Sequence, residues 1–273
     1  MQEKRVVLIT GASSGLGQAC AERLARGGDR VYGTSRAPEE STPPAGVEML
    51  AMDLDDDRSV GAAVERILRA EGRLDVVINN GGFGFGGPVE ETSLEEAKAI
   101  FETNLFGVLR ICRAVLPTMR QRRSGTIVNV SSLGGRIGLP FQGLYSATKF
   151  ALEGMSEALR MEAKPFGVRV VLVEPGDFRT GFTRNRRTVE GFDAAASPYR
   201  ERSLRAIHIA ETDEQNGSPP EAVARLVERI LNRPHPRVRY PVGARSQRAA
   251  AALKGILPSR LFEWGLMKYY KVN

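Results

Sequence analysis

"RVVLITGASSGLG", residues 5–17, decides the fold. The β-branched and aliphatic run Arg5 to Thr10 reads as a short strand, the glycines punctuate a turn, and "GQACAERLARGG" continues with the apolar spacing of a helix. The same unit recurs downstream. "RVYGTSR" and "VEMLAMDL" read as a second and third strand, and "DRSVGAAVERILRAEG" as a helix with Val60, Val64, Ile67 and Leu68 on one face. "LDVVINNGG", "GTIVNVSS", "GVRVVLVEPG" and "VRYPVG" follow as further strands, the last after a helix near Pro220 to Leu231. Continuous apolar runs of this kind are strands covered on both faces, and strands that alternate with helices pair in parallel. The pattern predicts an α/β fold: one doubly wound, parallel, seven-stranded sheet with helices on both faces.

Two stretches interrupt the alternation. Residues 181–217 are polar, arginine-rich and weakly periodic, and they follow the carboxyl end of a strand, where ligands bind in such sheets. They are expected to form a mobile substrate lid within a domain spanning 1–243. Residues 244–273 form a basic amphipathic extension with two short helices divided by Pro258. The overall charge is +7, but Arg245, Arg248, Lys254, Arg260, Lys268 and Lys271 against Glu263 place +5 of it in this tail. A basic tail is not a basic domain, and neither zinc-finger spacing nor an aromatic RNA-binding signature accompanies it, so no nucleic-acid partner is expected. Cys20 and Cys112 lie in apolar segments without nearby partners, which suits burial and excludes a disulfide framework or a metal site. No run of about eighteen apolar residues occurs and Met1 is followed by charged residues, which predicts a soluble, cytoplasmic protein.

In "TGASSGLG", Gly11, Gly15 and Gly17 allow a tight turn and close backbone approach, while the helix amino terminus offers free N–H groups and a positive dipole end. After a first strand and before a helix, this is a cradle for a dinucleotide pyrophosphate. A carboxylate at the end of the second strand would bind the adenosine ribose of NAD, whereas a basic residue accommodates the 2′-phosphate of NADP. In "VYGTSR" the decisive position is Ser35, followed by Arg36. NADP, as NADPH rather than NADH, is therefore the expected cofactor, with a solvated surface arginine as the plainer reading of Arg36.

Together these segments resemble the short-chain dehydrogenase/reductase family in its single-domain branch, a Rossmann fold. The resemblance rests on "TGASSGLG", "NNGG" at Asn79 to Gly82, Asn104 in "TNLFG", Ser132, "YSATK" for the family's Y-x-x-x-K, and "PGDFRT" at Pro175 to Thr180. One departure is Gly81, where alanine is usual; the smaller residue is expected to loosen local packing. The resemblance implies a tetrad of Asn104, Ser132, Tyr145 and Lys149. Tyr145 would be general acid in ketone reduction and base in alcohol oxidation, and Ser132 would hold the substrate oxygen. Lys149 would bind the nicotinamide ribose, and Asn104 would position a water leading from Lys149 to solvent. A free phenol has a pKa of about 10, so the cation at i+4 and an oxidised nicotinamide are expected to favour the phenolate. Cofactor contacts are implied for Gly11, Ser13, Ser14, Gly15, Leu16 and Gly17 in the turn, for Arg36, and for Asp53 and Leu54 near the adenine. Asn80 and Gly82 would lie near the ribose, and Tyr145, Lys149, Pro175, Gly176, Phe178 and Thr180 near the nicotinamide.

"GLPFQGLYSATKFALEG" is especially similar to the steroid and retinol dehydrogenases of this family. Phe83, Phe85, Leu139, Phe141, Phe178 and Phe182 are candidates to line an apolar pocket for a lipophilic ketone or secondary alcohol, making the chain a carbonyl reductase or alcohol dehydrogenase. A non-catalytic NADP(H)-sensing protein on the same fold is the alternative. Such a sensor would be free to lose Tyr145 or Lys149, and both are present. The tail either packs on its own domain or a neighbouring subunit, or makes peripheral contact with an anionic membrane. The family resemblance further implies a homodimer or homotetramer.

Overall fold

Every residue of Val6–Thr10 (β1) is buried, and the reason is that helices cover the sheet on both sides. In the computed structural model, which describes residues 4–40 and 42–273, β1 is joined by Arg30–Ser35 (β2), Val47–Ala51 (β3) and Val76–Asn79 (β4). Gly125–Val130 (β5), Val168–Pro175 (β6) and Arg239–Val242 (β7) complete the sheet. All pairings are parallel, in the order β3-β2-β1-β4-β5-β6-β7. The sheet thus has the seven strands and the doubly wound order expected. Chain direction of growth reverses between β1 and β4, which opens a crevice at the carboxyl ends of those strands.

Strand alternation sorts the core into two layers. Val6 and Leu8 pack with α2 (Asp57–Glu71), α4 (Gly107–Gln121) and α5 (Gly143–Ala163). Val7 and Ile9 pack with α1 (Gly15–Arg26) and α7 (Glu221–Leu231). Each such side chain taken out of water stabilises the fold by about 1.5–3 kcal/mol. Helix ends follow local chemistry. The Asp56 carboxylate accepts from the Arg58 N–H to start α2, and Gly72, at φ +68°, ends it in the left-handed region. A capping box between Ser93 and Glu96 starts α3 (Leu94–Phe101), which passes through a π turn at Glu102–Phe106 into α4.

One polar chain crosses this apolar interior. Asn79 Nδ2 donates to Asn129 Oδ1 at 2.8 Å, Asn129 Nδ2 donates to Ser156 Oγ at 2.8 Å, and Ser156 Oγ donates to the Leu152 carbonyl at 2.6 Å. It ties β4, β5 and α5 together.

The 181–217 stretch contains more structure than its polar sequence suggests. Arg187–Thr188 pairs in parallel with Phe85–Gly86, and Arg200–Gln215 forms a helix, α6. The helical pattern is hard to read because the buried face, Ser203, Ala206, Ile207, Ala210 and Glu214, has a single large apolar residue, Ile207, among small or polar ones. The tail forms α8 (Arg245–Leu253) and α9 (Ser259–Tyr270). Ala251 packs with Leu133 and Ile137, and Tyr270 and Val272 pack with Ala206 and Ala210 of α6. Its other face leaves Ile256, Leu261 and Trp264 exposed among the basic residues. No helix among the described residues is long and apolar enough to cross a membrane. Both cysteines are buried thiols.

Candidate active site

The crevice opens at the carboxyl ends of the strands as a cleft of about 500 Å³. Its first wall is the glycine turn, in which Gly11 and Gly15 have φ of +66° and +58°, values that disfavour any side chain. At Gly17 the constraint is contact: a Cβ would stand 2.2 Å from the Gly11 carbonyl oxygen and 2.6 Å from Asn80 Nδ2. Asn80 locks the turn from β4, since its Nδ2 donates to the carbonyls of Thr10 at 3.0 Å and Gly11 at 3.2 Å. Thr10 Oγ1 in return accepts the N–H groups of Asn80 and Gly81 at 3.0 and 2.9 Å. Gly81 is not a loose point. Leu54 Cδ1 would lie 2.7 Å from a Cβ at that position, so leucine already fills the space that alanine would take.

The cradle suits a nicotinamide dinucleotide by its own geometry. Glycine backbone lies open at the amino end of α1, and Ser35 Oγ is buried without a hydrogen-bond partner among the described residues. Arg36 beside it is exposed and bonded to no carboxylate among the described residues. Ser13, Ser14, Leu16, Asp53, Leu54 and Gly82 also line the cleft. Asp53 is occupied with its own turn, donating its N–H to Ser59 Oγ at 2.9 Å while its Oδ1 accepts from the Asp55 N–H at 3.0 Å. Pro175, Gly176, Phe178 and Thr180 line it from the end of β6, with Thr180 packed over Gly15.

The opposite wall carries Ser132, Tyr145 and Lys149. Ser132 Oγ caps a 3-10 turn after β5 by accepting from the Gly134 N–H at 2.9 Å, and it donates only weakly, to the Pro175 carbonyl at 3.5 Å. One helical turn separates Tyr145 from Lys149, whose Nζ lies 5.9 Å from the phenol ring centre and donates to the Val130 carbonyl at 3.0 Å. Burial pushes the Lys149 ammonium down to about 8, against an opposing pull from Glu153. It also pushes the Tyr145 phenol up to about 12, with the Ser132 hydrogen bond working the other way. In the protein alone, burial sets the direction of the Tyr145 shift and favours the neutral phenol. A neutral phenol at physiological pH is a proton donor.

Two of the expected site residues stand behind the cleft wall. Gly17 is buried beneath the turn, and Asn104 sits in the π turn with 1% exposure. Asn104 Oδ1 accepts from the Phe83 N–H at 3.0 Å and its Nδ2 donates to the Phe83 carbonyl at 2.9 Å. A Cβ on Gly82 would approach its Oδ1 to 2.8 Å, so Asn104 shapes the loop carrying Gly82 and Phe83.

Among the apolar candidates, Phe83, Leu139, Phe178 and Phe182 line the cleft. Phe85 does not, because it packs behind Tyr145 with Ile100 and Val189. Phe141 does not either; at φ +57° it turns toward Leu266 and Met267 of the tail. Sequence reasoning missed Asp177, Glu214 and Tyr270, all of which line the cleft. Asp177 was within reach, lying between Gly176 and Phe178, but Glu214 and Tyr270 arrive through the packing of α6 and α9. Among the described residues no group of His, Cys, Asp or Glu side chains is placed to hold a metal.

The short chain dehydrogenase family model matches residues 5–191. A 3-ketodihydrosphingosine reductase from Bacteroides thetaiotaomicron is 44% identical over 271 residues, covering 99% of this chain and 100% of that protein. Mouse 17-beta-hydroxysteroid dehydrogenase type 1 is 37% identical, over 86% of this chain and 72% of that one. A short-chain dehydrogenase from Streptomyces avermitilis superposes with a TM-score of 0.83 at 31% identity, over 98% of both chains. Solved neighbours include complexes with NAD and with NADP. With the family model matching most of the chain and relatives similar over nearly its whole length, the chain belongs to the short-chain dehydrogenase/reductase family, nicotinamide-dependent oxidoreductases that act on CH–OH and C=O groups.

Proposed function

We propose that the protein is an NADP(H)-dependent carbonyl reductase of a long-chain lipophilic ketone, with 3-ketodihydrosphingosine, a long-chain amino ketone, as the leading candidate. The observation that carries this reading is the convergence of Ser132, Tyr145 and Lys149 on the wall facing the glycine cradle, in a cleft whose substrate end is lined by Phe83, Leu139 and Phe182. Arg36, bonded to no carboxylate among the described residues, supports NADPH over NADH through charge-assisted bonds to a 2′-phosphate. The identity to the Bacteroides reductase over the whole chain supports the substrate class.

In this reading Gly11, Ser13, Ser14, Gly15 and Leu16 hold the pyrophosphate and Asp53 and Leu54 flank the adenine. Asn80 and Gly82 face the ribose, and Pro175, Gly176, Phe178 and Thr180 face the nicotinamide. The bound cofactor supplies a hydride to the carbonyl carbon. Ser132 Oγ–H donates to the carbonyl oxygen and orients it. Tyr145, kept neutral by burial, transfers its phenolic proton to that oxygen as negative charge develops there. Lys149 stabilises the phenolate that remains and holds the ribose hydroxyls, while Asn104 fixes the loop around Phe83 and positions a water for reprotonation.

Residues 1–243 would form the catalytic domain, with 181–217 as the lid and 244–273 as the extension. Exposed Ile256, Leu261 and Trp264 among basic residues suit peripheral contact of a cytoplasmic protein with an anionic membrane that carries the lipid substrate. Exposed Phe106, Leu109, Phe150 and Met161 on α4, α5 and the π turn suit a contact between identical subunits in a dimer or tetramer. The test is NADPH oxidation followed at 340 nm against long-chain ketones, with Tyr145→Phe as control. Turnover of such a ketone, reduced at least a hundredfold in the variant, is expected. Binding of NADPH without turnover of any ketone would refute the proposal.

A further inference from the structure

The acidic side chains at the substrate end of the cleft are not used by the reduction chemistry. Asp177 follows β6, Glu214 lies near the end of α6, and both line the same cleft as Tyr145. Both carboxylates act by charge on the Tyr145 phenol, with which they share the cleft. Glu214 is already committed. Arg186, its side chain 2% exposed, donates to one carboxylate oxygen, and Thr183 Oγ1 donates to the other at 2.6 Å. Asp177 has no such partner. The Gln247 amide donates to its Oδ2, and no cation is bonded to it among the described residues. Burial, reinforced by Glu214 and Asp213, pushes the Asp177 carboxyl up to about 7, so a cation beside it would relieve an unfavourable charge.

A second observation points to the same place. Tyr270 of α9, 7% exposed, lines the cleft with a hydroxyl that has no hydrogen-bond partner among the described residues, and Asp177 acts on that hydroxyl by charge. The Tyr145 ring meets Phe182 edge to face at 5.7 Å, adding aromatic surface. A carboxylate bonded to an amide but to no cation, and a phenol oxygen without a partner among the described residues, together with aromatic rings complement an alkylammonium, which has three N–H donors and is attracted to ring faces.

We propose that Asp177, assisted by Tyr270, recognises an ammonium group carried next to the reacting carbonyl, and so selects amino ketones over simple ketones of the same chain length. This rests on the reading of the cleft as a ketone reductase site. Glu214, neutralised by Arg186, holds the wall in place.

The test compares a long-chain 2-amino-3-ketone with the matching 3-ketone lacking the amine, in detergent micelles with NADPH. The wild-type ratio of kcat/KM values is expected to favour the amino ketone at least tenfold, and to fall to within about threefold of unity in Asp177→Asn, with partial recovery in Asp177→Glu. A wild-type ratio near unity, or an unchanged ratio in an Asp177→Asn protein that is folded by circular dichroism, overturns the proposal. If Asp177→Asn does not fold, Tyr270→Phe decides: a threefold or greater fall in the ratio supports the assignment and an unchanged ratio removes it. If neither ketone is reduced, the reductase reading fails, and calorimetry with hexadecylamine and hexadecanol still tests the ammonium site. Binding of the amine at least tenfold tighter, lost in the variant, supports it, whereas equal binding of the two refutes it.

Discussion

Gly17→Ala and Gly61→Ala make the same covalent change with opposite expected signs. At Gly17 the added methyl would stand 2.2 Å from the Gly11 carbonyl oxygen and 2.6 Å from Asn80 Nδ2. The first neighbour is backbone held at φ +66°, and the second is pinned by bonds of 3.0 and 3.2 Å to Thr10 and Gly11, so neither can yield cheaply. Overpacking costs about 1–3 kcal/mol, and loss of the two hydrogen bonds adds about 0.5–1.5 kcal/mol each, giving about 2–6 kcal/mol in total. Since the strain falls on the pyrophosphate cradle, NADPH affinity is expected to drop at least tenfold. At Gly61, exposed within α2, nothing lies within 4 Å of a new Cβ, and alanine is expected to stabilise by about 0.5–1 kcal/mol through helix propensity. Urea denaturation with and without NADPH, and fluorescence titration of NADPH, measure both. A Gly17→Ala protein as stable as wild type and binding NADPH as tightly would refute the close-approach argument.

Four further outcomes are expected. Arg36→Asp should shift the kcat/KM preference from NADPH to NADH by at least a hundredfold, since it replaces a phosphate partner by a ribose acceptor and a repelling charge; an unchanged preference would remove Arg36 from the cofactor site. With Lys149 lowered to about 8 and Tyr145 raised to about 12, kcat/KM for NADPH should be level below pH 8 and fall above it as Lys149 loses its proton, and Lys149→Arg should abolish that limb. The Asp177 carboxyl is raised from 3.8 to about 7, so between those pH values the folded protein binds more protons than the unfolded chain, and stability is lost as pH rises through that window. At pH 8, Asp177→Asn should therefore be more stable than wild type by about 1–3 kcal/mol in urea denaturation. Finally, Ile256→Glu with Trp264→Glu should lose co-sedimentation with vesicles of anionic lipid while NADPH binding stays intact; undiminished co-sedimentation would exclude this face as the contact.

The parts of the molecule legible in its sequence are those governed by local rules. Aliphatic runs mark the central strands β1, β4, β5 and β6, because a strand covered on both faces has little other composition available to it, whereas the half-buried edge strand β7, Arg-Tyr-Pro-Val, is marked chiefly by its place after a helix. The glycine turn is legible because the αL positions at Gly11 and Gly15 and the contact at Gly17 exclude side chains by short-range sterics. Tyr145 and Lys149 share one helix, so their spacing carries information. What stayed hidden depends on tertiary packing. Helix α6 buries Ser203 and Glu214, residues that read as surface, and Glu214 is tolerated inside only because Arg186 comes from a distant loop. Phe85 and Phe141 have the composition of pocket residues, yet one closes a cluster behind Tyr145 and the other meets the tail. The rise in the Tyr145 pKa was likewise invisible, because spacing reports the neighbouring cation but not the depth of burial.

The buried asparagines of β4 and β5 act as a ruler for the whole site. Asn79 precedes Asn80, which locks the cofactor turn; Asn129 stands three residues before Ser132; and Ser156 lies two helical turns beyond Lys149 on the same side of α5. If either strand slipped by one residue, an amide would face an aliphatic layer and a valine would face its partner's amide, leaving polar groups stranded on both sides. Misregistered pairings are thereby penalised at the very strands that carry the chemistry. The spacing between the glycine turn and Tyr145 is thus held by three side chains, Asn79, Asn129 and Ser156, that lie outside the cleft lining, so loops around the mouth can vary in sequence without recalibrating it.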